Sequence, residues 1–283
     1  MSASPRTEGG SPGIADAVRA TVGVVFAYGA ALLLAALVAL VSGAANEGAR
    51  SAGDTRAQLA VQAVIFAGAA LLLVEGLQLA HRPRERHPLA AAAGDHAPAV
   101  PLPAVIVVGL IAAAIAELAG PLVGALLPSL HDVAVPVDEL GLGKGLGADV
   151  GTVLVVVGLI PLGEELLFRG VLVGAWARAG RPGAGVAVSA VLFGLAHVTV
   201  GPRTVAVAMV LGVILATAML VSRSLGSAVL AHSIINAVAL FSAGLSDPVP
   251  VVVVVLTVLA ATAAATRISR SVSSLPAAGT LVT

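Results

Sequence analysis

Long apolar stretches separated by short polar ones dominate the chain. Runs of about 20 apolar residues suit helices that cross a bilayer. On that basis the chain offers eight candidate spans, at 17–42, 57–80, 101–127, 150–175, 184–200, 204–222, 225–244 and 249–265. The runs are continuous in Ala, Val and Leu and do not alternate with polar residues, so helices are expected and not the strands of a membrane barrel. The longest connections are an Arg-rich loop at 81–100 and a Gly-rich, acidic one at 128–149. Neither is long enough for a separate soluble domain. The expected organisation is therefore a single all-α, polytopic membrane domain over 1–283, with a polar N-terminal tail at 1–16 and a C-terminal tail at 266–283.

Composition strengthens this picture. The chain is 58% hydrophobic and 11% charged, with a mean hydropathy of +1.05, against about 25% charged residues in a typical soluble domain. Zero formal net charge points away from nucleic acid. The absence of cysteine excludes disulfides, thiol catalysis and Cys-based zinc sites. The first apolar run is longer than the core of a signal peptide and reads as an uncleaved span. With the N-terminus inside, ten basic residues fall on the cytoplasmic side: Arg6, Arg19, Arg82, Arg84, Arg86, Arg178, Arg181, Arg223, Arg267 and Arg270. Only Arg50, Arg56, Lys144 and Arg203 fall outside. That imbalance places both termini in the cytoplasm. The preference for Arg over Lys, and for Ala, Gly and Val, is what a GC-rich genome produces, so the expected location is a bacterial plasma membrane. Trp176 and Tyr28 are too few to form aromatic belts.

Against this background, ionisable residues inside spans stand out. One charge at a helix centre costs roughly 2.5–3.5 kcal/mol on insertion scales. The segment GLIPLGEELLFRGVLVGAW holds Glu164, Glu165 and Arg169. Unpaired, the three would cost on the order of 8–10 kcal/mol. Glu165 and Arg169 are four apart and share a helix face, so they can pair. Glu164 points about 100° away from Glu165 and has no partner on its own helix. Pro161 and Gly163 just before it loosen the helix. Two later spans carry His197, four residues after Phe193, and His232, four residues before Asn236 and on the same face. A lone intramembrane His is often only a hydrogen-bonding group between helices. An orphan carboxylate, two imidazoles and an amide together suit water activation: Glu takes a proton from water, while His and Asn hold the water and stabilise an oxyanion.

Among the weaker signals, Glu75 and Gln78 sit where snorkelling explains them. Glu117 reads as structural, as a partner for Arg169 or as a cavity residue. His81, His87 and His96 read as part of a solvated loop. GLGAD at 145–149 misses the GxGD pattern of aspartyl intramembrane proteases by one residue.

In these same residues, EELLFR resembles an EExxxR motif, FGLAH an FxxxH motif and HSIIN an HxxxN motif. Their order and spacing resemble the CAAX-processing and bacteriocin-processing (CPBP, Abi) family of intramembrane endopeptidases, over a core at about 150–244. The resemblance implies eight helices around an intramembrane active-site cavity and hydrolysis of a peptide bond in a membrane-embedded protein or peptide substrate. It implies Glu164 as general base, Glu165 and Arg169 as its motif partners, His197 and His232 as the imidazoles, and Asn236 as an oxyanion donor. Metal-assisted and glutamate-driven mechanisms are both associated with the family. On the glutamate reading no cofactor is required; the alternative is zinc on Glu164, His197 and His232. Two other functions compete. A proton-coupled transporter would use the carboxylates and imidazoles as a relay, although no repeated pair of broken helices is visible. A non-catalytic immunity or scaffold protein would keep the fold alone.

Overall fold

The structure, a computed structural model, describes residues 13–45, 64–66, 68–69, 100–131, 142, 145–245 and 248–273. Among them there is no strand. The helices are α1 (Ile14–Ala45), α2 (Leu102–Ala116), α3 (Ala119–Leu126), α4 (Leu146–Arg178), α5 (Pro182–Leu195), α6 (Pro202–Ser222), α7 (Leu225–Ser242) and α8 (Pro248–Ser273). Among the described residues, six helical stretches are long and apolar enough to cross a membrane, α2 and α3 together forming one of them. Their outward faces carry large apolar side chains such as Phe26, Leu126, Val221 and Leu256, which water would not tolerate in such numbers and lipid does. The chain is an all-α polytopic membrane protein.

Three of the expected boundaries compare with the structure as follows. The span expected at 184–200 is a helix of only 14 residues that ends at Leu195. At 1.5 Å per residue that is about 21 Å, short of a hydrocarbon core of about 30 Å. Residues 196–200 form turns, and Gly201 (φ 144) and Pro202 then open α6. The positive φ at Gly201 suits only glycine, and Pro202 cannot continue a preceding helix. The span expected at 57–80 lies mostly outside the described residues, of which 64–66 and 68–69 are helical. The last helix runs on to Ser273, through the start of the expected tail at 266–283; Ala265, Thr266 and Ser269 are buried and hold it against the bundle.

Pro residues at the first turns of α2, α5 and α6 preset the helical φ where no N–H is needed. Ser224 caps α7 by accepting from the Gly226 N–H at 3.2 Å. Without a strong hydrophobic drive between helices in lipid, close approach depends on small residues. A Cβ on Gly212 of α6 would stand 2.6 Å from the Cα of Ala190 on α5. That is backbone and cannot swing aside. Gly212→Ala should therefore push α5 from α6 and cost about 1–3 kcal/mol as overpacking does. A thermal melt in detergent reads this directly, and an unshifted midpoint would contradict the contact.

The core has two parts. One gathers Leu167, Phe168, Leu172, Phe193, Leu215, Met219 and Val229 around the second half of α4. The other gathers Val153, Val157, Leu240, Val254 and Val258 around its first half. Ile234 of α7 packs on both, and the piece of α4 at the junction carries the two glutamates.

Candidate active site

Helix α4 is not one regular helix. Leu154–Leu159 and Leu166–Val173 are π-helical, and between them lies a short α-helical piece, Ile160–Glu165. Such bulges are rare and gather at functional sites. Pro161 gives this one a chemical consequence. In the first π segment the Ile160 N–H donates to the Val155 carbonyl, five residues back. The next bond in that series would run from residue 161 to the Val156 carbonyl, but proline has no N–H. The Asn236 Nδ2 donates to the Val156 carbonyl instead, at 2.8 Å. One amide N–H of Asn236 is thereby committed, and the side chain is oriented against α4. The expectation that His232 and Asn236 share a helix face holds: both turn to α4.

The pair expected between Glu165 and Arg169 is present. The Arg169 NH1 donates to Glu165 Oε1 at 3.0 Å, and both side chains are fully buried. Arg169 does not use Glu117, which lies exposed at the break between α2 and α3. Its NH2 reaches toward the Gly212 carbonyl at 3.5 Å, and its guanidinium carbon sits 4.3 Å from the Phe193 ring centroid, a cation–π contact. Glu165 Oε1 accepts a second bond, from His232 Nδ1 at 2.9 Å. A carboxylate offers only lone pairs, so this contact assigns the proton to Nδ1. His232 Nε2 is then the nitrogen turned toward Glu164 Oε2, 3.8 Å away. That gap is beyond a hydrogen bond but within strong electrostatic reach. One imidazole from α7 therefore lies between two adjacent carboxylates that project in different directions from α4. A buried carboxylate fixing the tautomer and ring of a histidine is the arrangement that orients catalytic imidazoles.

His197 is not on a helix but in the turn after α5, half-buried. Its Nδ1 donates to the Phe193 carbonyl at 2.8 Å, so Nε2 is the free nitrogen of the neutral ring. Its ring meets Phe193 at 5.0 Å, and His232 meets the same phenyl group at 5.8 Å. The three motifs thus converge through Phe193. Straight helices would have spread Glu164, His197 and His232 along the bundle; the broken α4 and the short α5 bring their segments together.

Among the described residues, no three His, Asp or Glu side chains gather closely enough to hold a metal ion. A zinc site needs at least three such ligands. The set Glu164, His197 and His232 does not fit that requirement here.

Two features were not legible in the motifs. Tyr28 of α1 donates its hydroxyl to the carbonyl of Ala196, the residue before His197. Trp176 donates to the Thr21 hydroxyl at 3.0 Å and fastens α1 to the end of α4. A single tyrosine in an apolar span was the one available signal.

Residues 147–238 match the family model described as "Type II CAAX prenyl endopeptidase Rce1-like". No curated protein and no solved structure matches the chain. The matched segment contains all of Glu164, Glu165, Arg169, His197, His232 and Asn236 and leaves residues 1–146 and 239–283 outside it. Over residues 147–238, the segment that carries the site, this membrane protein is therefore similar to the Rce1-like type II CAAX prenyl endopeptidases.

Proposed function

We propose that the chain is an intramembrane endopeptidase that hydrolyses a peptide bond of a membrane-associated protein or peptide with water activated by Glu164. The observation that carries this reading is His232, held at Nδ1 by the buried Glu165 and turned at Nε2 toward Glu164. Glu164 takes a proton from water as the water oxygen bonds to the scissile carbonyl carbon. The same proton passes to the leaving nitrogen as the C–N bond breaks. His197 keeps Nε2 as an acceptor that can orient the water. The second amide N–H of Asn236 and a protonated His232 are the donors available to the oxyanion. Arg169 compensates the Glu165 charge and takes no part in bond-making. A bacterial plasma membrane with both termini inside is the setting we assign. The substrate class we assign is a precursor peptide or membrane protein; a prenylated CAAX peptide is the variant that the family description suggests.

The test compares membrane-protein fragments formed by the reconstituted wild-type chain and by Glu164→Gln. Fragments specific to the wild type are expected; identical fragment sets would defeat the proposal. On the glutamate reading, extensive chelation before the assay should leave cleavage intact. Loss on chelation with recovery on added zinc would reverse the mechanism.

A further inference from the structure

In the turn that carries His197, the N–H groups of Ala196, His197 and Val198 donate to the carbonyls of Leu192, Gly194 and Leu195. Val200 N–H donates to the carbonyl of His197 at 3.0 Å, not to that of Ala196. The Ala196 carbonyl is instead the acceptor of the Tyr28 hydroxyl. Tyr28 belongs to α1, far from the matched segment in sequence. Its ring is itself fixed, stacked on Phe66 with centroids 5.4 Å apart and tilted against Phe168 at 6.5 Å. Phe168 meets Phe193 edge-on at 5.3 Å, and Phe193 is the ring that both histidines touch. A continuous row of aromatic rings therefore runs from α1 to the catalytic imidazoles, and its one hydroxyl lands on the backbone beside His197.

We propose that Tyr28 is a positioning residue of this site, its hydroxyl fixing the Ala196–His197 backbone so that the His197 ring stays directed into the reaction centre. The proposal rests on the endopeptidase reading, in which His197 orients the water. It gives α1, which the family match does not include, a defined part in the site. The physical reason is the anchor. Without the hydroxyl the Ala196 carbonyl loses its partner from α1, so the turn can reorient and take His197 with it. A displacement of about 1 Å in a positioned group can lower a rate by on the order of 100-fold.

Tyr28→Phe keeps the stacked ring and removes only the hydroxyl. In the full chain reconstituted in lipid nanodiscs, backbone amides at 196–200 should exchange with solvent at least about tenfold faster, as local opening becomes easier. With an internally quenched peptide built on a fragment site from the proteome comparison, kcat should fall roughly 10- to 100-fold with little change in KM. Thr21→Val, which removes the bond from α1 to Trp176, should change neither. Unchanged exchange at 196–200 in Tyr28→Phe would overturn the proposal, and so would faster exchange with an unchanged kcat. Should the variant fail to fold, the wild type still decides. Tyr28 is the sole tyrosine of the chain, so the tyrosine ring doublet in ultraviolet Raman spectra reports this hydroxyl alone. A donor signature is expected, and a free or accepting hydroxyl would refute the contact. Exchange and Raman need no substrate. A chain that cleaves nothing but shows both signatures would therefore sink the endopeptidase reading and not the Tyr28 contact.

Discussion

Replacing Glu164 by Gln should lower peptide cleavage by at least about 10²–10³-fold, the scale of a lost general base, and leave the melting temperature nearly unchanged. The substitution preserves shape and removes only the group that accepts the proton. The small effect on stability follows from the surroundings. No described hydrogen bond reaches the Glu164 carboxylate, and its approach to His232 is 3.8 Å. Glu164 is also not sealed, with 8% of its surface exposed, whereas Glu165 has none. A carboxylate held in an apolar interior without bonds of its own is an expense to the fold. Its neutral amide should be tolerated or slightly stabilising. A Glu164→Gln protein that melts like the wild type and cleaves at the native rate would remove the basis for the glutamate mechanism. One that melts far lower would show instead that Glu164 is a structural partner of His232.

Much of the arrangement was legible in the sequence because its causes are local. Continuous apolar runs dictate helices, and a four-residue spacing puts Glu165 beside Arg169 and His232 beside Asn236. Both pairings hold, the first as a direct bond and the second as a common face toward α4. What escaped depends on the backbone in three dimensions. Nothing in an apolar run announces a π-helical turn, so Pro161 read as a loosening of the helix; its specific effect is to leave the Val156 carbonyl for Asn236. The apolar character of 184–200 continues past Leu195 although the helix does not. His197, expected near the end of its helix, is therefore free of helical geometry and can turn its ring onto Phe193. Tyr28 escaped because a hydroxyl aimed at a distant carbonyl leaves no periodic trace. Arg82, Arg84 and Arg86, which weigh heavily in the orientation, lie outside the described residues.

The same geometry that makes Glu164 dispensable for folding makes Glu165 and Arg169 indispensable. Both are fully buried, the guanidinium beside the Phe168 and Phe193 rings, and each single neutralisation strands the other charge there. Breaking a buried pair in this way costs about 3–5 kcal/mol. Glu165→Gln keeps an oxygen for Arg169 and for His232 Nδ1 but leaves the guanidinium uncompensated, with only the Gly212 carbonyl and the Phe193 ring to hold it. Arg169→Met leaves the Glu165 carboxylate with His232 as its sole described partner. Each should unfold at a clearly lower temperature in detergent. The double variant Glu165→Gln, Arg169→Met removes both charges, keeps the acceptor for His232 and fills the volume with an apolar chain. It should recover most of the loss, because a buried ion pair replaced as a unit is often close to neutral. The cycle is decisive through its coupling. If the two single losses simply add in the double variant, the two side chains act independently and the ion pair is not what holds α4 in place. Cleavage in the rescued double variant then isolates the catalytic part of the charge. Glu165 orients His232 through an oxygen, which glutamine also supplies, so activity should return with the fold; a stable but inactive double variant would show that the negative charge itself is needed at His232.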